Sequence, residues 1–146
     1  MTGTNRLTDP AVDDAAAVEH FAEVWEGAWN DHDPDAVAAL CAEDLVFDDP
    51  LFGDTIHGRE AIRSLVTRIV RNYPDYQFTP QGTYANVSRR AVIVAWHFRG
   101  TLSGSNQVVE YHGDDRLEIG EDGLVHAYRC IYDNQNLLNQ VRAARS

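Results

Sequence analysis

Four β-rich runs joined by short turns are the feature that most restricts how this chain can fold. They occupy residues 76–87, 91–101, 108–119 and 124–133. The segments between them are short and consist mostly of polar residues and glycine. Because connections this short can join only antiparallel neighbours, the pattern predicts an antiparallel meander. At 146 residues the chain has the length of one domain, for which about 150 residues is typical.

Helical segments precede these strands. Apolar residues recur every three or four positions over residues 12–30, which predicts a first helix. Asp33 followed by Pro34 is typical of an N-cap and a first helical position, and predicts a short second helix that continues through residue 41. A third helix is predicted between Gly58 and Pro74.

Helices followed by a long meander predict an α+β fold in which three N-terminal helices cover one face of a curved sheet. Residues 1–11 are polar and lack periodicity, so we predict a disordered tail before a single domain over 12–146. Residues 136–144 are compatible with either a helical turn or a loose end.

The charge and composition of the chain limit the classes of partner that it can bind. Twelve Lys and Arg against 23 Asp and Glu give a net charge of −11, which repels phosphate backbones and anionic lipids. We therefore expect no nucleic-acid partner and no membrane partner. The sequence has no apolar run near the roughly 18 residues of a membrane span and no signal-peptide pattern, so we expect a cytoplasmic protein. Cys41 and Cys130 are expected to be buried free thiols.

One aspartate interrupts the apolar face of the third β-rich run. Strict alternation places Asp115 on the same face as Tyr111 and Leu117, whereas Asp114 falls on the polar face. A carboxyl group among apolar side chains resists ionisation, so its pKa rises unless a donor or a cation meets it. Asp115 is therefore a candidate acid or base, although pairing with Arg129 as a buried ion pair would explain it equally well.

The short strand predicted over residues 45–49 repeats this anomaly. Leu45, Phe47 and Asp49 share a face, so Asp49 follows two large apolar side chains inward. Two inward carboxyl groups on separate strands can divide the work of proton donor and proton acceptor. The alternative is structural, because Asp49 before Pro50 is also a common strand-ending turn.

The order of elements and three segments resemble a known family. The segments are WNDHDPDAVAALCAEDLVFDDP, GREAIRSLVTRIVRNYPDYQFT and DDRLEIGEDGLVHAYRCIYD. They resemble the SnoaL-like polyketide cyclases and the ketosteroid isomerases of the NTF2-like superfamily, whose fold is a cone of bent sheet wrapped around helices. The resemblance implies that Asp49 matches the general base of the isomerases and that Asp115 matches their protonated oxyanion donor. It also implies a homodimer formed through the outer sheet face.

Several positions depart from the patterns of these relatives. Trp25 stands where the isomerases carry a tyrosine, and an indole N–H donates one hydrogen bond but relays no proton. The related limonene-epoxide hydrolases use an Asp-Arg-Asp set, whereas this chain has Gly113 and Cys130 at two of those positions. The histidine of the GTHxG segment in SnoaL-type cyclases is absent here, where residues 100–104 read GTLSG.

Aromatic side chains supply a candidate lining for a pocket. From the resemblance and from strand faces, the predicted substrate-binding residues are Trp25, Phe47, Phe52, Trp96, Tyr111, Tyr128 and His126. His97, His112 and His126 lie on successive strands, but their spacing matches no metal motif, so we predict no metal site. No phosphate loop or dinucleotide fingerprint is present, so we expect no cofactor.

These observations lead to two hypotheses. The first is a cofactor-independent cyclase that acts on a hydrophobic polyketide-like intermediate, with Asp49 and Asp115 transferring protons. Ring closure, isomerisation as in the ketosteroid isomerases, epoxide opening as in the epoxide hydrolases, and cycloaddition all stay open. The second hypothesis is a non-catalytic NTF2-like module that binds a ligand or dimerises.

Overall fold

The computed structural model describes residues 14–145 and has an α+β architecture of four helices and one six-stranded sheet. The helices are α1 (Ala15–Asn30), α2 (Pro34–Ala38), α3 (Glu60–Asn72) and α4 (Asn134–Arg145). The strands are β1 (Cys41–Asp48), β2 (Ile56–His57), β3 (Gln77–Asn86), β4 (Ala91–Thr101), β5 (Val108–Ile119) and β6 (Val125–Tyr132). The predicted disordered tail, residues 1–11, lies outside the described residues.

The sheet has the strand order β2-β1-β6-β5-β4-β3. All neighbours are antiparallel except β1 and β6, which pair in parallel and bring the first strand back beside the last one. Apolar side chains of β4, β5 and β6 pack with those of α1 and α3 in one core. This arrangement is the predicted NTF2-like cone, and the antiparallel meander over β3 to β6 is confirmed.

Local signals in the sequence set the ends of the helices. The Asp14 carboxylate caps α1 by accepting a hydrogen bond of 2.7 Å from the backbone N–H of Ala17. Asp33 caps α2 in the predicted manner, accepting from the N–H groups of Asp35 and Ala36. One face of α1 is buried against the sheet, which places the indole ring of Trp25 in the core with 1% exposure.

The structure differs from the sequence prediction at four elements. Helix α2 ends at Ala38, and β1 begins at Cys41 rather than at residue 45 because the backbone of residues 40–41 already joins the edge of β6. The two-residue strand β2 was not predicted. Residues 134–145 form a complete fourth helix, so the fold has one helix more than the three predicted. Among residues 14–145, no helix is long and apolar enough to cross a membrane.

Gly113 permits a close approach between two strands. A Cβ atom built at this position would lie 2.3 Å from Cη2 of Trp96, which faces Gly113 across the β4–β5 pair. The missing side chain thus lets the Trp96 ring lie flat across β5.

Replacing Gly113 with alanine should lower the free energy of unfolding by about 1 to 3 kcal/mol, because the added methyl group overlaps the Trp96 ring. Urea unfolding followed by tryptophan fluorescence measures this change. Gly27→Ala is the matched control, because a Cβ on Gly27 of α1 meets nothing within 4 Å, and it should be neutral or stabilising. Equal stability of the two variants would contradict the packing argument.

Candidate active site

Asp115 is buried in the middle of β5 and bonded to neutral donors. The Trp25 Nε1–H group donates to its Oδ2 atom at 2.9 Å, and the Tyr128 hydroxyl donates to its Oδ1 atom at 3.0 Å. The side chain is 5% exposed. Arg129 points to the outer face, where it lies 3.5 Å from Asp48. The alternative of a buried ion pair between Asp115 and Arg129 is therefore wrong.

Burial raises the pKa of Asp115 to about 6, because the surrounding core disfavours the charged form. The donors from Trp25 and Tyr128 oppose this rise, and so does the indole of Trp96, although the Trp96 N–H makes no hydrogen bond of regular geometry. Asp115 thus changes its charge near neutral pH, within the range in which a proton-transfer group is useful.

Asp49 follows β1 directly and is turned inward, as the alternation predicted, with 9% exposure. Its Oδ1 atom accepts hydrogen bonds from the Leu51 N–H at 2.8 Å and from the Tyr132 hydroxyl at 2.7 Å. Burial raises the pKa of Asp49, while these two donors and the positive charge of Arg68 act in the opposite direction. In residues 14–145, no N–H or O–H group is hydrogen-bonded to the Oδ2 atom of Asp49.

One cavity of about 230 Å³ brings the two carboxyl groups together. Asp49 and Asp115 both line it, and most of the remaining wall is apolar or aromatic. Strands contribute Trp96, Tyr111, Tyr128 and Tyr132, while α3 and α4 contribute aliphatic side chains such as Leu65, Ile69, Leu137 and Val141. A largely apolar cavity with a few polar groups is the usual form of a small-molecule site.

Cys130 lies between the two acids. It faces Asp115 across the β5–β6 pair, and its thiol favours the ionised form of both Asp115 and Asp49. Burial raises the pKa of the Cys130 thiol well above its ordinary value, so the thiol stays protonated and can donate. Both cysteines are free and buried, as predicted.

Tyrosines complete the polar part of this cavity. Burial raises the pKa of Tyr111, Tyr128 and Tyr132, chiefly through the loss of water, and nearby carboxylates add to the effect. All three are therefore neutral hydrogen-bond donors at ordinary pH. The hydroxyl groups of Tyr128 and Tyr132 are each committed to one of the two acids.

Three of the predicted substrate-binding residues line the cavity, namely Trp96, Tyr111 and Tyr128. Trp25 does not line it, and its N–H group donates a hydrogen bond to the Asp115 carboxyl group. Phe47 is fully buried and packs against the ring of Tyr128 at 4.8 Å between centroids. Phe52 lies outside this cavity, with the Arg68 guanidinium 5.7 Å above its ring. The prediction that Trp25, Phe47 and Phe52 line the pocket was therefore wrong.

His126 is also outside the cavity. Its Nε2 atom lies 3.0 Å from both carboxylate oxygens of Asp122, and its side chain is 43% exposed. The reason is a β-bulge, because Glu118 pairs with Ala127 whereas Ile119 pairs with Val125, which leaves His126 as the extra residue. Alternation along β6 breaks at this point, so His126 does not share the face of Tyr128.

The other two histidines considered as metal ligands, His97 and His112, lie on the outer face of the sheet. His97 and His112 are directly opposite each other on β4 and β5, with ring centroids 4.8 Å apart. His97 faces Glu110 at 3.3 Å, far along the sheet from the bulge that holds His126. Within the part of the chain that the structure describes, no group of three or more His, Cys, Asp or Glu side chains could hold a metal ion.

Two polar residues at this site were not singled out from the sequence. Glu26 is 9% exposed, although it stands next to Trp25 in α1. Its positions four after Ala22 and three before Trp29, both buried, place it on the core face, and that spacing was the available signal. Arg68 lines the cavity from α3, but nothing in the sequence distinguishes it from the other arginines of that helix.

A second depression of about 490 Å³ lies on the outer side of α3. It is wide and open to solvent, and Arg63, Arg68 and Arg71 are among the residues that line it. Neither Asp49 nor Asp115 reaches it, so this depression is separate from the cavity that holds the two acids.

Comparison with known protein families shows to which family this chain belongs. The model of the SnoaL-like domain family matches residues 12–128, which is most of the chain. The chain belongs to the SnoaL-like family. No functionally curated protein sequence matches it significantly.

Solved structures of other proteins share this SnoaL-like fold. A proposed polyketide cyclase from Xanthomonas campestris pv. campestris is 23% identical, with a TM-score of 0.74 over 85% of this chain and 96% of its own. AclR, a proposed hydroxylase from Streptomyces galilaeus, is 18% identical, with a TM-score of 0.75 over 88% of this chain and 87% of its own.

An enzyme of polyether biosynthesis is similar to the same extent. SalBIII, described as an epoxide hydrolase/cyclase-like enzyme with a role in pyran ring formation in salinomycin, is 20% identical. Its TM-score is 0.74 over 85% of this chain and 96% of its own. At these identities the likeness establishes the fold, and the SnoaL-like neighbours include polyketide cyclases and epoxide hydrolase-like enzymes.

Proposed function

We propose that this SnoaL-like protein is a cofactor-independent cyclase that closes or rearranges a ring in a hydrophobic polyketide-like substrate. Asp49 and Asp115 are the proton-transfer groups. The observation that carries the proposal is an apolar cavity of about 230 Å³ lined by both carboxyl groups. A substrate bound there can contact both acids at once.

The surroundings of the two acids support a division of roles. Asp49 lies near the positive charge of Arg68 and accepts two hydrogen bonds at Oδ1, which favour its ionised form. Its Oδ2 atom is then the group that takes a proton from a substrate hydroxyl or an acidic carbon. Asp115, whose pKa burial raises to about 6, is the proton donor to the oxygen on which negative charge develops.

The bonding of Asp115 also indicates which oxygen carries the proton. Trp25 can only donate, so the Oδ2 atom that it contacts serves as an acceptor. Tyr128 can donate or accept, because a hydroxyl group rotates. The neutral acid therefore places its proton most easily on Oδ1, with the Tyr128 hydroxyl adjusting beside it.

The same arrangement bears on which cyclase chemistry is favoured. In steroid isomerisation of the family type, a second donor besides the aspartate must reach the substrate oxygen. The Trp25 N–H is already bonded to Asp115, so that role would fall to another donor in the wall, such as the Tyr111 hydroxyl. Opening of an epoxide needs only one base for the attacking hydroxyl and one acid for the oxygen that leaves carbon. We therefore propose epoxide-opening cyclic ether formation as the first reaction to assay, with aldol-type closure as the second.

The size and lining of the cavity support a compact apolar substrate. Its volume of about 230 Å³ is somewhat below the 300 to 1,000 Å³ typical of ligand pockets. Arg68 and Arg145 lie at the helical side of the wall, where a polar end of the substrate would meet water. A homodimer through the outer sheet face and a cytoplasmic location stay predictions, and a role in antibiotic biosynthesis is part of the present proposal.

A titration separates the enzyme from a module that merely binds a ligand. We expect the Asp115 carboxyl carbon to titrate near pH 6 in carbon-detected NMR spectra, because burial disfavours its charge. Asp114, half-buried on the other face of β5, is the internal reference in the same spectra. An Asp115 pKa near the ordinary value of about 4 would favour the binding module instead.

The reaction itself is tested with model substrates. Apolar hydroxy-epoxides and enolisable diketones, incubated with the protein and analysed by chiral chromatography and mass spectrometry, should give cyclic products of one configuration. Racemic product formed at the background rate with every substrate would contradict the proposed function.

A further inference from the structure

A second, much smaller cavity lies between α1 and Asp115, next to the substrate cavity, with which it shares Trp29, Phe78, Trp96 and Asp115. It is lined by Trp25, Glu26, Trp29, Phe78, Trp96 and Asp115. It offers about 10 Å³ to the centre of a water molecule, which is room for one water. Three of these residues belong to α1, and Glu26 is the one among the three that carries a carboxyl group.

Unpartnered polar atoms are concentrated around this cavity. Among residues 14–145, four buried side-chain atoms lack a hydrogen-bond partner in the protein, and three of them belong to residues that line it. They are Oε2 of Glu26, Nε1 of Trp29 and Nε1 of Trp96, the last of which acts on the Asp115 carboxyl group without making a hydrogen bond of regular geometry. Two donors and one acceptor around a space of this size match the two to four polar partners that a buried water requires.

Glu26 is a buried acid without a cation. It takes part in none of the ion pairs between described residues, and the charged groups that act on it are Asp115 of β5 and Glu19 of its own helix, both acidic. Burial and these two neighbours raise the pKa of Glu26 to about 7. Tyr128 and Cys130 of β6 lie beyond Asp115 and stay protonated.

We propose that one ordered water in this cavity joins Glu26 to Asp115, and that Glu26 returns a proton to Asp115 after each turnover. The inference deepens the proposed function and rests on Asp115 as its proton donor. When Asp115 has given its proton to the substrate oxygen, the Glu26 carboxyl group protonates the water, and the water passes one of its other protons to the Asp115 carboxylate. Glu26 is left as a carboxylate and recovers a proton from solvent at its partly exposed edge.

Glu26 is therefore a positioning and relay residue that does not touch the substrate. The arrangement has a physical use, because a bound substrate would cover the Asp115 carboxyl group in the substrate cavity. The path through Glu26 gives Asp115 a second route for proton exchange, which runs towards α1 on the same face of the sheet.

The first test uses the full protein without substrate. Because the charge of Asp115 raises the pKa of Glu26, the Glu26 carboxyl carbon should titrate at lower pH in Asp115→Asn than in the native protein. Asp114→Asn removes the same charge from the other face of β5 and should leave the Glu26 titration unchanged. A Glu26 titration that is identical in native protein and Asp115→Asn would overturn the proposal.

The second test is a crystal structure at a resolution that defines waters. A water within hydrogen-bond distance of Glu26 and of the Trp29 or Trp96 indole N–H supports the proposal, and a cavity filled by rearranged side chains rejects it. Neither result depends on the reaction, so failure of the relay is distinguishable from failure of the proposed function. With an active substrate, Glu26→Gln should lower kcat several-fold at unchanged KM, and an unchanged kcat would reject the relay while leaving Asp115 as the donor.

Discussion

Replacing Asp115 with asparagine is expected to lower kcat/KM by a factor of about 100 to 10,000, the range for loss of a positioned general acid. The amide fits the site, because its oxygen can accept from Trp25 and its NH₂ group can donate to Tyr128, whose hydroxyl rotates to accept. The change therefore removes proton transfer with little change of shape. Steady-state assays on a hydroxy-epoxide or diketone that the native protein converts measure the effect.

Asp114→Asn is the control for this variant, since it makes the same substitution one residue earlier on the opposite face of β5. It should keep full activity. Equal loss in both variants would indicate general damage to β5, and full activity in Asp115→Asn would refute the acid role.

The stability of the Asp115→Asn variant provides a second control. In the native protein the pKa of Asp115 is raised to about 6, so the folded state binds its proton more tightly than the unfolded chain does. The proton on Asp115 therefore stabilises the folded protein fully below about pH 4. This stabilisation, on the order of 3 kcal/mol, is lost as the pH rises through about 6. The asparagine variant has no such loss, so it should unfold at no lower urea concentration than the native protein at pH 8.

Replacing Asp49 with asparagine should cause a loss of similar size, about 100-fold or more, because the base disappears. The structure accommodates this amide too, since the oxygen can keep the hydrogen bonds from the Leu51 N–H and the Tyr132 hydroxyl at Oδ1. The amide nitrogen then takes the place of Oδ2. Rate measurements over pH 4 to 9 distinguish the two acids.

The pH profile follows from the proposed roles. In the native enzyme kcat/KM should rise as Asp49 ionises and fall around pH 6 as Asp115 loses its proton. The residual activity of Asp49→Asn should lack the acidic limb, and that of Asp115→Asn should lack the alkaline limb. Asp48→Asn is the control for position 49, because Asp48 bonds to Thr55 and lies near Arg129 on the outer surface. Loss of the same limb in both variants would contradict the separate roles.

The inward placement of both acids was predictable because strand geometry is periodic. In β5 the side chains alternate without interruption from Val108 to Ile119, so the apolar face was enough to locate Asp115. The same logic placed Asp49 behind Leu45 and Phe47. Periodicity gives the face of a strand, however, and does not give distances between strands.

The errors have physical causes. His126 was assigned to the wrong face of β6 because a β-bulge inserts one residue into this strand. Nothing in the local sequence indicates where the pairing register shifts. Phe47 was assigned to the lining because inward-facing side chains include those that fill the core as well as those that border a cavity. Which of the two applies depends on packing among several elements, which a linear pattern does not contain.

The fourth helix stayed undecided for a related reason. The sequence of residues 136–144 is compatible with a helical turn or a loose end, and only Leu137 in α4 is buried. Their helical form gains stability from contact with β5 and the rest of the cavity wall, so tertiary packing decides the structure of this segment.

Because α4 supplies part of the cavity wall while Asp115 lies in β5 and Asp49 directly follows β1, the proposed proton-transfer groups and part of the lining are encoded in different parts of the gene. Exchanges at Leu138 or Val141 can reshape the bound compound's surroundings without disturbing Asp49 or Asp115. Natural divergence, or a designer's library confined to the codons of α4, can thus redirect this scaffold to new compounds while both carboxyl groups are inherited unchanged.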